Sequence, residues 1–390
     1  MKRTSEKIID LKKKKNELNF KKLIKFMKIP LVALVVLVAL FLSIRLMGNV
    51  AVSNVTDGLR QVKTIFSSSA GYPYSLENKE LGKLETVGGD VVIVSEKNLS
   101  VLDSRARLRL GTQLDSADSK IIGKNGRTLV YSNTSPVISL LSKTEVLGSV
   151  TEQSPVVTAD LAENGSFACS NSSEKAQSVL TVYNNRFNVE FRWNCSGERI
   201  SAIGLSSNGK KVAAAAVGTK NAEIYSRFLI FDTDETNPVA DITYSGTFIY
   251  RIIYTNGNRI IAVGDNKTLV YNAKGEKLEE FTYTAESVSA ICSDDNGNTV
   301  ICLSEFGGAK TRIVVYKSNG KRSAEVIVNG APGGIDIADN RIAVILGNDI
   351  VKLSYSGKEL DRISANGSPV RVAVTSGSVY TVESGSICKY

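Results

Sequence analysis

Residues 248–283 read FIYRIIYTNGNRIIAVGDNKTLVYNAKGEKLEEFTY. Four short apolar runs stand in this stretch: FIYRIIY, RIIAVG, TLVYN and LEEFTY. Asn256-Gly257 separates the first two, and Asn272 to Gly275 separates the last two. Asn-Gly suits a type I′ hairpin turn, because both central residues need positive φ. The segment therefore reads as four antiparallel strands. Four strands alone cannot bury both of their faces, so neighbours of the same kind are required.

The neighbours are present. Asn-Gly recurs at Asn125-Gly126, Asn164-Gly165, Asn208-Gly209, Asn256-Gly257 and Asn296-Gly297, each between two apolar runs. The glycines are spaced by 39, 44, 48 and 40 residues. Degenerate copies extend the series to Gly88-Gly89 upstream and to Asp339-Asn340 and Ser376-Gly377 downstream. A second marker keeps the same beat. It is a large residue closing the third strand, at Tyr183, Phe231, Tyr271, Tyr316 and Tyr355. Leu102, Leu141 and Tyr390 fit the same place. Four strands in each period of about 40–45 residues describe the blade of a β-propeller. The expected fold is all-β, a WD40-like β-propeller of eight blades, with seven as the alternative. The last copy ends at Tyr390 after its third strand, so residues near Tyr72 to Leu81 are expected to supply the missing outer strand and close the ring.

Working outward, the N-terminus is of another kind. Residues 1–28 carry eleven Lys or Arg against three acids, which leaves the rest of a +9 chain close to neutral. The large domain lacks the positive field that a phosphate backbone requires, so no nucleic-acid partner is expected. Ile29 to Met47 is a run of transmembrane length whose only charge is Arg45, near its far end. The basic flank predicts a cytoplasmic N-terminus and an extracytoplasmic C-terminal domain at the plasma membrane. The domain plan is a basic tail (1–28, including the Lys12 to Lys15 run, expected to face lipid), a transmembrane helix (29–47), a stalk (48–71) and the propeller (72–390). A signal peptide cleaved after Ala51-Val52-Ser53 is the alternative for the apolar run.

Histidine is absent from the chain. Ser-His-Asp triads, Cys-His pairs and His-ligated zinc are thereby excluded. Cys169, Cys195, Cys292, Cys302 and Cys388 include no CxxC pair, and only Cys292 with Cys302 is placed for a disulfide; small buried strand residues are the plainer reading. Asp232 to Asn237 alternates carboxylates as a calcium loop would, but lacks the central Gly and the distal Glu, and reads as an exposed loop. Ser293 to Asn296 is accounted for as a hairpin turn. Glu223 and Tyr225 stand in the longest inter-strand insertion, Gly218 to Arg227, where a solvated loop is the plainer reading. The Asn98 and Asn266 sequons matter only in a eukaryotic secretory pathway. No catalytic, cofactor or metal residues are assigned.

Leu205 to Ala215, LSSNGKKVAAA, resembles the S-P-D-G-K-x-L-A hairpin of WD40-like and related bacterial propellers, with Asn208 in place of Asp. The basic tail, the apolar span, Gly71-Tyr72-Pro73 and the degenerate blades together resemble a family of single-pass, membrane-anchored propellers of Gram-positive bacteria. That resemblance implies topology and places the closing strand just after Pro73. It implies no activity. The functional expectation is a non-enzymatic binding or scaffolding module for an envelope protein or a cell-wall polymer. A carboxylate-dependent glycan hydrolase or lyase, and a ligand sensor signalling through the tail, are the alternatives.

Overall fold

A computed structural model describes residues 71–76 and 83–390. The described residues form 32 strands in eight four-stranded antiparallel sheets. In chain order, β1 is Tyr74–Ser75, and β2 (Lys83–Val87) to β5 (Leu108–Gln113) make blade 1. Each following blade takes the next four strands. Blade 8 combines β30 (Pro369–Val374), β31 (Val379–Glu383) and β32 (Ser386–Lys389) with β1. The closing strand is where the sequence puts it: β1 pairs with β32, Tyr74 opposite Ile387. The ring is thus fastened by both ends of the described chain, and eight blades is the correct count.

The sheets form because both faces of each are apolar. In β3 (Asp90–Ser95), Val91 and Ile93 pack toward blade 8, whereas Val92 and Val94 pack toward blade 2. In β15 (Lys211–Lys220), Val212, Ala214 and Ala216 face blade 3 while Ala213 and Ala215 face blade 5. Successive strand residues point to opposite faces, so uninterrupted apolar runs such as VVIV and AAAA are what a sheet buried on both sides needs. Eight core clusters result, one between each pair of adjacent blades. The aromatic marker at the end of the third strand fills these seams. Phe228 and Tyr271 stack across blades 4 and 5 with centroids 4.4 Å apart.

Two local expectations need correction. Of the five Asn-Gly pairs only Asn125-Gly126 has positive φ at both residues, as type I′ requires; the copies Gly88-Gly89 and Asp339-Asn340 do as well. In the turns at Gly165, Gly209 and Gly297 only the glycine is left-handed. Each of those glycines returns its N–H three residues back, to the carbonyls of Ala162, Ser206 and Asp294. This is a type I turn closed by a left-handed glycine, a longer loop than the two-residue type I′ form. The Gly218 to Arg227 insertion is not a loop. It is the tip of a long hairpin, β15 with β16 (Glu223–Asp232), turning at Asn221-Ala222. The five cysteines are free thiols, and Cys169, Cys195 and Cys302 are buried on strands, as the plainer reading of the sequence has it. Cys292 on β22 (Glu286–Ser293) and Cys302 on β23 (Thr299–Glu305) lie diagonally across the register, Cys292 facing Val300.

Among the described residues no helix is long and apolar enough to cross a membrane. The tail, the apolar run 29–47 and most of the stalk lie outside the described residues.

Candidate functional site: the charged central channel

The innermost strands line a channel along the ring axis. They are β2, β6 (Lys120–Lys124), β10 (Thr158–Leu161), β14 (Arg199–Leu205), β18 (Ile249–Tyr254), β22, β26 (Gly334–Ala338) and β30. All begin on one face of the ring and end at the inner turns on the other. Residues from most of these strands enclose a cavity of ≈ 450 Å³.

The Asn-Gly turns close much of the second face. Asn125 donates its backbone N–H to Asp295 Oδ2 at 3.2 Å and its side-chain amide to Glu163 O at 3.0 Å. The Asn256 amide donates to Glu163 Oε1 and to Asn296 Oδ1, and Asn256 N–H donates to Asn296 O at 3.0 Å. Asn164 donates its amide to Asn208 O at 2.7 Å. Blades 2 and 6 are diametrically opposed in an eight-bladed ring, so a hydrogen bond between their turns requires those turns to reach the axis. The five Asn-Gly turns that mark the repeat therefore interlock as a polar plug. Blades 7, 8 and 1 carry no Asn-Gly pair at this turn, and beside them a cavity of ≈ 270 Å³ remains, bordered by Glu85, Asp294, Asp295, Asp336 and Asp339.

The lumen is charged in tiers. Alternate residues of a strand share a face and lie about 6.7 Å apart along it. On β2 these are Lys83, toward the unplugged face, and Glu85, deeper. Arg251 and Arg371 occupy equivalent places in blades 5 and 8, each just after the bulge of its inner strand. Asp336 accepts the Val374 N–H at 2.7 Å, which sets it on the plug side of Arg371. Asp160 likewise accepts the Leu205 N–H of the next blade at 2.7 Å. A basic tier of Lys83, Lys120, Arg251 and Arg371 thus surrounds the open mouth, with Glu85, Asp160 and Asp336 beneath it and one further cation, Lys124, beside Asp160 at the plug end.

The two tiers differ in how well they are satisfied. Lys83 Nζ donates to Ser119 O at 2.6 Å and Lys120 Nζ to Asn133 Oδ1 at 3.1 Å, both neutral acceptors. Arg371 reaches only the carbonyl of Val370, and Arg251 forms no hydrogen bond or ion pair with another described residue. Both arginines are exposed. The acids are pushed the other way. Desolvation, then the charge of Asp336, raises Glu85 well above the ordinary carboxylate range, against the opposing pull of Arg251. Desolvation also raises Asp336 and Asp160, although backbone N–H donors oppose it. Glu85 and Asp336 interact strongly enough to titrate as a pair.

The residues singled out from the sequence lie elsewhere or serve the fold. Asp232 is held by Lys211 Nζ at 2.6 Å and closes a surface turn. Tyr225 donates to Glu198 Oε1 at 3.1 Å, on a seam between blades. Exposed Glu223 sits at the hairpin tip. The Asn266 amide is tied to Gly246 O at 2.6 Å. Asp294 and Asp295 are turn residues, and they also border the plug. Among the described residues no group of three Cys, Asp or Glu side chains is arranged to hold a metal ion. The channel tiers escaped the sequence reading, yet they had a signal. The charges sit singly within first strands that are otherwise apolar: IYRIIY, GIDIA and PVRVAV.

Comparison with known proteins agrees with the architecture. The structure of Saccharomyces cerevisiae Sqt1 is similar with a TM-score of 0.57 at 10% identity, covering 83% of this chain and 99% of that one. The C-terminal WD40 domain of Sif2 gives 0.56 at 10% identity, covering 81% and 95%. Apo AztD from Citrobacter koseri gives 0.51 at 15% identity, covering 77% and 88%. At such identities the likeness is one of fold. Among curated proteins no sequence matches the chain. A family model matches residues 66–389, nearly the whole described chain, and the protein belongs to the family of unknown function DUF5711.

Proposed function

We propose that this protein is a binding module: a propeller held at the outer surface of the plasma membrane, whose open channel mouth engages an envelope protein or a cell-wall polymer. The observation that carries the reading is the pair of exposed, unpaired arginines at the mouth of a channel plugged at its other end. Such cations are solvated at little cost and are free to pair with an incoming group. The placement rests on the apolar run 29–47 and its basic flank, in keeping with a Gram-positive membrane-anchored protein.

The reading is tested by in-cell crosslinking and pull-down of the full-length chain, beside a chain truncated after residue 71. A partner captured only with the propeller supports it. Equal capture by both chains contradicts it. For placement, protease added to intact cells should remove the propeller and spare the tail; a fully protected propeller would overturn the extracytoplasmic assignment.

One observation favours a second reading. Glu85 and Asp336 line one cavity and are both raised by desolvation, and a pair of interacting carboxyls is the starting point for acid–base glycan cleavage. Turnover of envelope glycans abolished by Glu85→Gln would establish that reading. Absence of turnover across such a panel leaves the binding module.

A further inference from the structure

The tiers also define what the mouth recognises, an inference that rests on the binding reading above. An anion-binding mouth needs only the cations. Here the same lumen continues, about two strand residues deeper, into carboxyl groups that the cations do not pair with. Arg251 acts on Glu85 through space without forming an ion pair. Asp336 is held at its depth by the Val374 N–H rather than by a neighbouring cation. Around Glu85 and Asp336 the order is basic first and acidic beneath, in one cavity of ≈ 450 Å³; the deeper cation, Lys124, acts on Asp160 and Asp295 instead. A uniformly anionic chain would be drawn to the mouth but would meet only carboxyl groups at Glu85 and Asp336, whereas a cation arriving there would favour their ionised form. A uniformly cationic one would be turned away at the entrance.

We propose that the channel binds a slender zwitterionic group, with a carboxylate or phosphate at the Arg251–Arg371 tier and an ammonium or similar cation about 7 Å deeper at Glu85 and Asp336. The tiers match it in sign and in order. The lumen admits an extended chain end or side chain and excludes a folded domain. Charge-assisted hydrogen bonds at both ends give orientation, because the reversed ligand meets like charge at each tier.

The test is calorimetric titration of the solubilised full-length protein with four probes. 6-Aminohexanoate and 4-aminobutyl phosphate carry both charges at about the required separation and distinguish carboxylate from phosphate sources. Hexanoate carries only the anion, and hexylamine only the cation. At least one zwitterion should bind ten-fold or more tighter than either single-charge probe. Arg251→Ala with Arg371→Ala should remove that binding; both side chains are exposed and unpaired, so an unchanged melting curve is expected to show the fold intact. Glu85→Gln should abolish the preference for the zwitterion over hexanoate. If hexanoate binds as tightly as the zwitterions, the zwitterion inference falls while the binding reading stands. If no probe binds and the arginine substitutions leave partner capture in cells unchanged, both fall.

Discussion

At the scale of single residues, the asparagines and glycines of the turns do different work from what their type suggests. Gly209 has φ of +72°, and a Cβ there would lie 2.7 Å from the Ser166 Cβ of the preceding blade. Gly209→Ala should therefore cost about 1–3 kcal/mol in denaturant unfolding. Gly197 has no left-handed φ, and a Cβ there would meet nothing within 4 Å, so it should tolerate alanine with little change. Equal effects at the two sites would contradict the steric argument. Asn125, Asn164 and Asn256 donate their side-chain amides across blades, a role that no dipeptide pattern discloses. Glu85 makes a residue-scale prediction in pH. It faces Asp336 and Asp295, which raise it, and Arg251, which opposes them. The folded chain keeps a proton that the unfolded chain has already lost, so folded protein binds more protons above the ordinary carboxylate range. Stability should then fall as pH rises from about 4.3 toward and past neutrality. Glu85→Gln should flatten that decline in urea midpoints measured at about pH 5 and pH 8, which span most of the window between the unfolded value and the folded value of about 8. An identical slope in the variant would remove Glu85 as its source.

At the scale of elements, the strands and their phase were legible because a sheet buried on both faces writes itself as short unbroken apolar runs. The closing strand was legible because the last repeat lacks a fourth run. The blade 4 hairpin was not, because Gly218 to Asn221 is polar and reads as a loop. Its continuation, Glu223-Ile224-Tyr225-Ser226-Arg227, has the alternation of a half-exposed strand, and the pairs Gly218 with Tyr225, Thr219 with Ile224 and Lys220 with Glu223 carry the hairpin to its tip. The closing strand is the element whose loss matters most. β1 makes only two register pairs, but Leu76 beside it is buried and Tyr72 packs on Tyr380 with centroids 5.3 Å apart. A chain beginning at Lys83 should lose on the order of 3 kcal/mol or more relative to one beginning at Ser53. Its uncovered β32 edge should promote self-association. Light scattering and thermal melts compare the two, and matching behaviour would mean that β1 does not fasten the ring.

At the scale of the whole molecule, the channel is assembled from residues far apart in the chain. Lys83 and Arg371 are 288 positions apart and share one tier. Composition shows a nearly neutral domain, which conceals a lumen split into a basic mouth and an acidic interior. Fold class, blade count and ring closure follow from periodicity, which a single chain displays. The site follows from which inner-strand positions meet at the axis, and that requires the phase of all eight blades at once. The most direct measurement places a photo-crosslinking amino acid at position 371, in the open mouth, and separately at position 208, on the plugged face, in the full-length protein in cells. Binding through the mouth predicts partner adducts from position 371 and none from position 208. Adducts from position 208 alone would contradict it.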